Sequence, residues 1–175
     1  MTLPPWQEEA ITKTHDRKAF DCGNAEMNDF LRRYARQSHE LGGEKTFLAV
    51  DDSNPTKILG FYSVAPAALG YERVPEILRH GLARHDVPGF RLARLATHVS
   101  LQGQGLGGQL LGLAAKRCIR AASEVGGVVL IIDAKSEWAA KWYAGYGAVS
   151  LQNTPDTLVM ALSTFAADLK AAGQL

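Results

Sequence analysis

Four glycines stand within the six residues from Gly103 to Gly108, directly before a long segment with the pattern of a helix. A backbone without Cβ atoms can close around a ligand, and the unpaired N–H groups at the start of a helix attract an anion. The stretch "SLQGQGLGGQLL" is therefore predicted to hold a phosphate-bearing molecule. A Walker loop is excluded, because no Gly-Lys-Ser/Thr sequence follows.

Two phosphate-binding motifs match the same residues. G-x-G-x-x-G, read from Gly103, matches the dinucleotide fingerprint, and Q-x-x-G-x-G, read from Gln102, matches an acyl-coenzyme A pyrophosphate loop. A dinucleotide domain normally carries its motif after its first strand and continues with several strand–helix units. Here the loop lies past the middle of the chain, which favours acyl-CoA, although Asp133 stands about where a ribose-binding acid would fall. A glycine-rich helix start without a ligand is the third alternative.

The elements that must position this loop follow from the hydrophobic pattern and the turn residues. Strands are predicted over 8–13, 45–52, 57–69, 90–101, 126–134, 148–151 and 156–162. Helices are predicted over 24–41, 74–85, 105–125 and 136–147, and in the tail from Ser163. Strands that alternate with helices in this order predict an α/β fold, with a mixed sheet and helices on both faces.

The bulk composition is that of an ordinary globular chain. Its 175 residues are 46% hydrophobic and 21% charged, with a net charge of +1, so a polyanion site must be a local patch. The length predicts one domain, and the first residues lack the features of a signal peptide. No apolar run approaches the ~20 residues of a membrane span. Cys22 and Cys118 lie far apart without metal-ligand spacing, which predicts reduced thiols in a cytoplasmic protein.

Two longer stretches, "RLATHVSLQGQGLGGQLL" and "SEWAAKWYAGYGA", resemble the GNAT superfamily of acyl-CoA-dependent N-acetyltransferases. In that superfamily the glycine motif is followed about forty residues later by a Phe-Tyr-type pair, here Trp142-Tyr143. The stretches "FDCGNAEMNDFLRRYARQ", "TFLAV", "GFYSVA" and "RLA" resemble one branch, the bacterial toxins that acetylate the amino group of aminoacyl-tRNA. The resemblance implies a GNAT fold, a central twisted mixed sheet flanked by helices, formed by residues 1–175 as a single domain.

The resemblance also implies how acetyl-CoA is bound as cosubstrate, without a metal. The backbone of the strand before the loop is expected to bind the pantetheine arm and the oxyanion, and the loop is expected to bind the pyrophosphate. The implied residues are Leu95, Ala96, Thr97, Gln102, Gly103, Gln104, Gly105, Leu106, Gly107, Gly108 and Ser136. The chain departs from the branch at three positions: Gln104 replaces a usual Arg, Ser136 replaces a usual Asn, and His98 stands where an acid is common.

Tyr143 is the candidate general acid. A phenol with an ordinary pKa of about 10 stays protonated at neutral pH and can give its proton to a departing thiolate. The alternative is that Tyr143 only packs in the core. Trp138, Trp142 and Tyr146 are interpreted as core residues and His98 as a structural histidine. The sequence contains no acid–His–Ser arrangement and no cluster with the spacing of metal ligands.

A basic surface is the candidate binding site for tRNA. The stretch from residue 79 to 94 contains four arginines against one acid, Asp86, and a second group of arginines lies in the first predicted helix. Together they could contact phosphates, or they could be solvated helix faces. The arginines are Arg32, Arg33, Arg36, Arg79, Arg84, Arg91 and Arg94.

The branch resemblance implies a translation-blocking toxin that acetylates the α-amine of charged tRNA. Its implied partners are charged tRNA, a small antitoxin of the ribbon-helix-helix type and a second copy in a homodimer, with no membrane. A GNAT enzyme that acts on a small amine or a protein N-terminus is the enzymatic alternative. A non-catalytic module that binds CoA or an antitoxin is the alternative of another class.

Overall fold

The computed structural model describes residues 2–175. It confirms the α/β class and the mixed sheet. The strands are β1 (Trp6–Ala10), β2 (Lys45–Asp51), β3 (Asn54–Leu69), β4 (Val87–Thr97), β5 (Val129–Asp133), β6 (Val149–Leu151) and β7 (Thr154–Ala161). The helices are α1 (Ala25–Arg33), α2 (Ala35–Glu40), α3 (Leu106–Val125), α4 (Glu137–Ala144) and α5 (Leu162–Ala171).

The seven strands are ordered β1-β2-β3-β4-β5-β7-β6. β1 with β2, β2 with β3, β5 with β7 and β6 with β7 pair antiparallel, whereas β4 and β5 pair in parallel. The register of β4 against β5 runs from Gly89–Val129 to Leu92–Ile132. β4 itself continues to Thr97, so its last five residues lie beyond that register.

The contacts divide the described chain into two compact units. One unit contains the chain up to Ala65 and Arg94–Leu111, and the other contains Pro66–Ala93 and Gly112–Leu175. Each has its own buried cluster. In the first, Phe30, Leu31 and Phe61 are members, and in the second, Ile131 and Val159 are members. The glycine-rich residues 102–108 belong to the first unit and Tyr143 to the second.

The predicted helix over 24–41 is present but interrupted. Its start is capped by Asn24, whose side chain accepts a hydrogen bond from the Met27 N–H at 3.0 Å. At Tyr34 the backbone leaves helical geometry (φ −118°, ψ −31°), so that residue ends α1 and precedes α2. The apolar spacing continues through the interruption, which is why the sequence pattern predicted one helix.

The predicted helix over 74–85 is wrong. The segment contains one short 3-10 turn, Glu76–Leu78, and a second, Tyr71–Arg73, lies just before it. Gly81 adopts a left-handed φ of +80°, which a continuous right-handed helix excludes. The Arg79 guanidinium donates to the carbonyls of Val74 at 2.8 Å and Glu72 at 2.9 Å, which replaces helical hydrogen bonds with side-chain ones.

Candidate active site

The glycine loop connects the end of β4 to the start of α3. A 3-10 turn over Val99–Leu101 comes first, and α3 then begins at Leu106. Gly103 and Gly105 adopt left-handed φ angles of +82° and +88°, and a Cβ at either position would have no atom within 4 Å. The glycines are therefore required by backbone conformation and leave the space above the loop open.

The start of α3 gives this open space its electrostatic character. α3 has 20 residues, and its first N–H groups have no carbonyl partner within the helix. Their partial positive charge, added to that of the helix dipole, suits a diphosphate. The loop as folded thus fits the pyrophosphate of acetyl-CoA, and it would bind that group through main-chain atoms.

The side chains of the loop glutamines have other tasks. The Gln102 amide donates to the carbonyls of Cys22 at 3.0 Å and Thr97 at 3.3 Å, so it ties the loop to the protein. Gln104 has a buried Oε1 with no hydrogen-bond partner in the described part of the chain. The Gln102 side chain therefore has a structural task, whereas the Gln104 Oε1 makes no such hydrogen bond.

A second segment supports the loop from the N-terminal side. The Asp21 carboxylate accepts from the Gly23 N–H at 2.8 Å and from the Asn28 amide at 2.9 Å, and Asn28 accepts from the Cys22 N–H at 2.9 Å. These hydrogen bonds, that of Gly23 first, lower the pKa of Asp21. The Val99 N–H donates to the Asp21 carbonyl at 2.8 Å. We call residues 20–28 the brace, because they fix the turn that precedes the glycine loop.

The stretch Leu95–Thr97 is the predicted site for the pantetheine arm. Ala96 is buried, whereas Leu95 and Thr97 are half-buried. The structure adds a residue that sequence reasoning missed, Gly60 on β3. A Cβ at Gly60 would lie 2.9 Å from the Ala96 carbonyl oxygen and 2.9 Å from a Leu110 methyl group, so glycine is needed there sterically. A lone glycine within a strand pattern was the available signal.

His98 is a structural histidine, as interpreted from the sequence. Its Nδ1 accepts from the Ser100 N–H at 3.2 Å and lies 2.9 Å from the Ser100 hydroxyl. Its ring packs edge-on against Phe20 at a centroid distance of 5.8 Å. These contacts use the ring to hold the 3-10 turn.

Helix α4 carries the candidate acid. Ser136 is its N-cap and accepts from the Ala139 N–H at 3.0 Å, so this predicted cofactor residue has a structural task. Tyr143 is only 4% exposed. Burial, and secondarily the Asp133 carboxylate, raise the pKa of Tyr143 well above its usual range, so the phenol keeps its proton. Its hydroxyl has no hydrogen-bond partner among residues 2–175, which leaves it available to a substrate.

The interpretation of the other α4 aromatics as core residues is wrong for two of them. Trp138 is 73% exposed and Tyr146 is 43% exposed, while Trp142 is half-buried. The Trp142 ring lies edge-on at 5.0 Å, centroid to centroid, from both Tyr143 and Tyr146. Aromatic spacing along a helix indicates a common face, but it does not establish that another element covers that face.

The candidate tRNA-binding arginines fall into three groups. Four form ion pairs, which are Arg33–Asp29 at 2.9 Å, Arg36–Glu40 at 2.8 Å, Arg91–Asp133 at 2.7 Å and Arg94–Glu44 at 2.6 Å. Arg94 also lies over the Phe30 ring at 3.6 Å, and Arg79 donates to backbone carbonyls. Within the described residues Arg32 and Arg84 are exposed, and their side chains have no partner. These two are the arginines most available to a phosphate.

Several features bear on other chemistries. Cys22 and Cys118 are both buried and unpaired. No group of three or more His, Cys, Asp or Glu side chains in residues 2–175 could hold a metal ion.

In the same residues, no helix has both the length and the apolar character needed to cross a membrane. A cavity of about 550 Å³, lined by residues 72–76, Arg79 and 150–154, contains no predicted site residue apart from Arg79.

No family model matches the chain. A curated relative, the tRNA-acetylating toxin of Mycobacterium tuberculosis, is 30% identical over 136 residues, which are 78% of this chain and 80% of the relative. The chain belongs to the GNAT family of tRNA-acetylating toxins.

Solved structures of this toxin family confirm the fold. AtaT complexed with acetyl-methionyl-tRNAfMet superposes with a TM-score of 0.86 at 23% identity, covering 94% of this chain and 99% of that one. A tyrosine-to-phenylalanine variant of AtaT, bound to the C-terminus of the antitoxin AtaR and to acetyl-CoA, has a TM-score of 0.80 at 23% identity, covering 94% and 98%. The expected GNAT fold, with its mixed sheet, is therefore present in this chain.

Proposed function

We propose that this protein transfers an acetyl group from acetyl-CoA to the α-amine of charged tRNA and thereby blocks translation as the toxin of a type II toxin–antitoxin pair. The observation that carries the acyl-CoA part is the glycine loop, with two left-handed glycines that open a 20-residue helix. The tRNA part is supported by membership of the family, since the Mycobacterium relative is named for that activity.

In this proposal the chain supplies three functions: it binds acetyl-CoA, stabilises the oxyanion and gives a proton to the leaving sulfur. The main-chain N–H groups of the loop, from Gln102 to Gly108, hold the pyrophosphate, and Leu95–Thr97 bind the pantetheine arm. One N–H of Leu95–Thr97 donates to the acetyl oxygen as negative charge grows there, a contribution of about 3–4 kcal/mol by analogy with other oxyanion donors. Acetyl-CoA supplies the activated acetyl thioester.

Tyr143 supplies the third function, a proton for the departing sulfur. The reacting amine attacks in its neutral form, forms the N–C bond and releases a proton to solvent, while the C–S bond breaks and the sulfur takes the phenol proton. The raised pKa of Tyr143 means that the proton is present at every physiological pH. Solvent then returns a proton to the phenolate, so that the enzyme is regenerated.

The deciding experiment supplies labelled acetyl-CoA together with total charged tRNA, uncharged tRNA, free amino acids or a peptide with a free N-terminus. We expect label only in charged tRNA and only with an intact Tyr143. Label in amino acids or the peptide would favour the small-amine or N-terminal alternative. Binding of CoA without transfer to any acceptor would favour a non-catalytic module.

The surface that binds tRNA is proposed to depend on the unpaired arginines. Replacing Arg32 and Arg84 with Ser should weaken tRNA binding and reduce the slope of log Kd against log salt by about 1 per lost phosphate contact. The matched control is Arg33 and Arg36 to Ser, because both are held by acids on their own helix. An equal loss of slope in the control pair would show that ion pairing does not restrict these arginines.

We also propose that the chain works as one domain, as a cytoplasmic homodimer, and with a small ribbon-helix-helix antitoxin. The AtaT variant bound to its antitoxin supports the last point by analogy. Light scattering of the purified protein should give the mass of two chains. Co-expression with the product of the adjacent reading frame should give a stable complex and restore growth.

A further inference from the structure

Two exposed aromatic side chains flank the half-buried Trp142 in sequence. Trp138 and Trp142 are one helical turn apart, and Tyr146 lies in the turn that follows α4. Trp142 contacts both the buried Tyr143 ring and the exposed Tyr146 ring, at 5.0 Å in each case. We call Trp138, Trp142 and Tyr146 the aromatic face. An indole that is 73% exposed forgoes the burial that usually stabilises it, which points to a use outside the folded chain.

We propose that the aromatic face stacks the unpaired bases at the aminoacylated end of the tRNA substrate. The inference rests on the proposed function and specifies where that substrate is held. Proteins that bind single-stranded nucleic acid use aromatic rings as stacking platforms, because every base has a π-face. The amine to be acetylated is carried by the terminal nucleotide, so the bases beside it must pass close to the residues that act on that amine.

The position of the face agrees with this use. Trp142 touches the ring of Tyr143, the proposed acid, so the aromatic face begins at the catalytic residue. A stacked base on Trp142 would be the first contact outside the reacting atoms.

The charges around the face suit a polyanion. Lys135 and Lys141 are exposed, and Glu137 is the single acid between them. The Lys141 and Glu137 side chains are 3.8 Å apart and both mostly exposed, so the pair is weak and Lys141 can turn to a phosphate. Residues 135–146 therefore carry a net charge of +1 beside the three rings.

The test is Trp138→Ala, with Trp138→Phe as the conservative variant and Val125→Ala, which removes another exposed apolar side chain, as the control. We expect Trp138→Ala to weaken binding of charged tRNA, and to raise its KM, by about 5- to 100-fold, the range for loss of one stacked base. The salt slope should not change, because no charge is removed. Trp138→Phe should restore most of the affinity, and Val125→Ala should have none of these effects.

Other outcomes identify other occupants and overturn the inference. An increased KM for acetyl-CoA with unchanged tRNA affinity would assign the face to the cofactor adenine. A Trp138→Ala variant with half the mass of wild type in light scattering would assign the aromatic face to contact with a second copy of the chain. Wild-type protein that acetylates charged tRNA while Trp138→Ala behaves identically would refute the stacking surface alone, whereas wild-type protein without any transfer to tRNA would refute the proposed function itself.

Discussion

The glycine loop and helix α4 are built for function in opposite ways. The loop binds through main-chain atoms, and its key positions are those where side chains are absent, as the left-handed Gly103 and Gly105 show. On α4 the proposed chemistry depends on one oxygen atom, the hydroxyl of a tyrosine that is buried and has no partner in the described chain. The loop should therefore fail when atoms are added, and α4 should fail when a single atom is removed.

This difference also explains which side chains near the site are structural. Around the loop, Gln102 and His98 use their polar atoms to hold the backbone in place. On α4, Ser136 holds the first turn of the helix. The polar side chains that appear suited to a ligand in the sequence thus position the main chain, with Tyr143 and Gln104 as the exceptions.

The largest expected effect comes from Tyr143→Phe. It should lower kcat by about 10²- to 10⁴-fold, the usual contribution of a general acid, with little change in acetyl-CoA affinity or stability. The ring remains and still packs, and its hydroxyl has no protein partner to lose. Steady-state kinetics with calorimetry for CoA binding would measure both quantities. Tyr146→Phe is the matched control and should retain normal kcat.

Two results would contradict this role of Tyr143. A kcat within about fivefold of wild type would mean that the sulfur receives its proton elsewhere. An unfolded Tyr143→Phe variant would show that the hydroxyl is part of the core. Circular dichroism of both tyrosine variants distinguishes the second result from loss of catalysis.

A smaller effect is expected when one methyl group is added to the loop in Gly105→Ala. The left-handed conformation costs an L-residue about 1–2 kcal/mol, and the open space around this position means that no clash is added. The loop of the variant should leave the left-handed conformation when no ligand is bound, and acetyl-CoA binding must then restore it. The Kd for acetyl-CoA should therefore rise by about 5- to 30-fold, while kcat at saturating acetyl-CoA stays the same. Gly112→Ala within α3 is the control and should leave Kd unchanged while it stabilises the helix. A loss of kcat alone in Gly105→Ala would contradict a purely binding role.

These two regions also show what the sequence could and could not predict. The glycine loop and its helix were predictable because a left-handed turn and a helix start depend on neighbouring residues. The arginine partners were not, since Glu44 and Asp133 lie 50 and 42 residues away from Arg94 and Arg91. The exposure of Trp138 likewise depends on tertiary contacts, because apolar spacing is the same whether or not another element packs against it. The missing helix over 74–85 follows instead from local features, the left-handed Gly81 and the hydrogen bonds of Arg79 to nearby carbonyls.

Restoring the residue usual in the family, by Gln104→Arg, should have a modest effect. A guanidinium beside the pyrophosphate adds an exposed ion pair of up to about 1 kcal/mol, so acetyl-CoA should bind up to about fivefold more tightly at low salt. The gain should decrease at high salt because exposed charges are screened. Gln152→Arg, in an exposed turn, controls for net charge. A weaker affinity would show that the buried Gln104 Oε1 itself binds the ligand.

The smallest expected effect concerns Cys118, a buried side chain of α3. Burial raises the pKa of its thiol from 9.0 to about 12. The stabilisation linked to the neutral thiol is therefore complete below pH 9 and is lost as pH rises through 12, because the unfolded chain releases this proton first. Urea unfolding at pH 8 to 11 should show a flatter loss of stability in Cys118→Ala than in wild type. Acetyl transfer at pH 7.5 should be the same in Cys118→Ala and wild type, and a lower rate in the variant would show that α3 contributes more than its backbone.

The brace has a consequence for the timing of activity during synthesis. The hydrogen bond between the Gln102 amide and the Cys22 carbonyl joins residues 80 positions apart. A ribosome adds about 5–20 residues per second, so Gln102 follows Cys22 out of the ribosome by about 4–16 seconds. For that interval the nascent chain exposes an N-terminal segment whose partners do not yet exist. The glycine loop is therefore assembled only when most of the chain has been made, and a product that ends before Gln102 has no complete acetyl-CoA site.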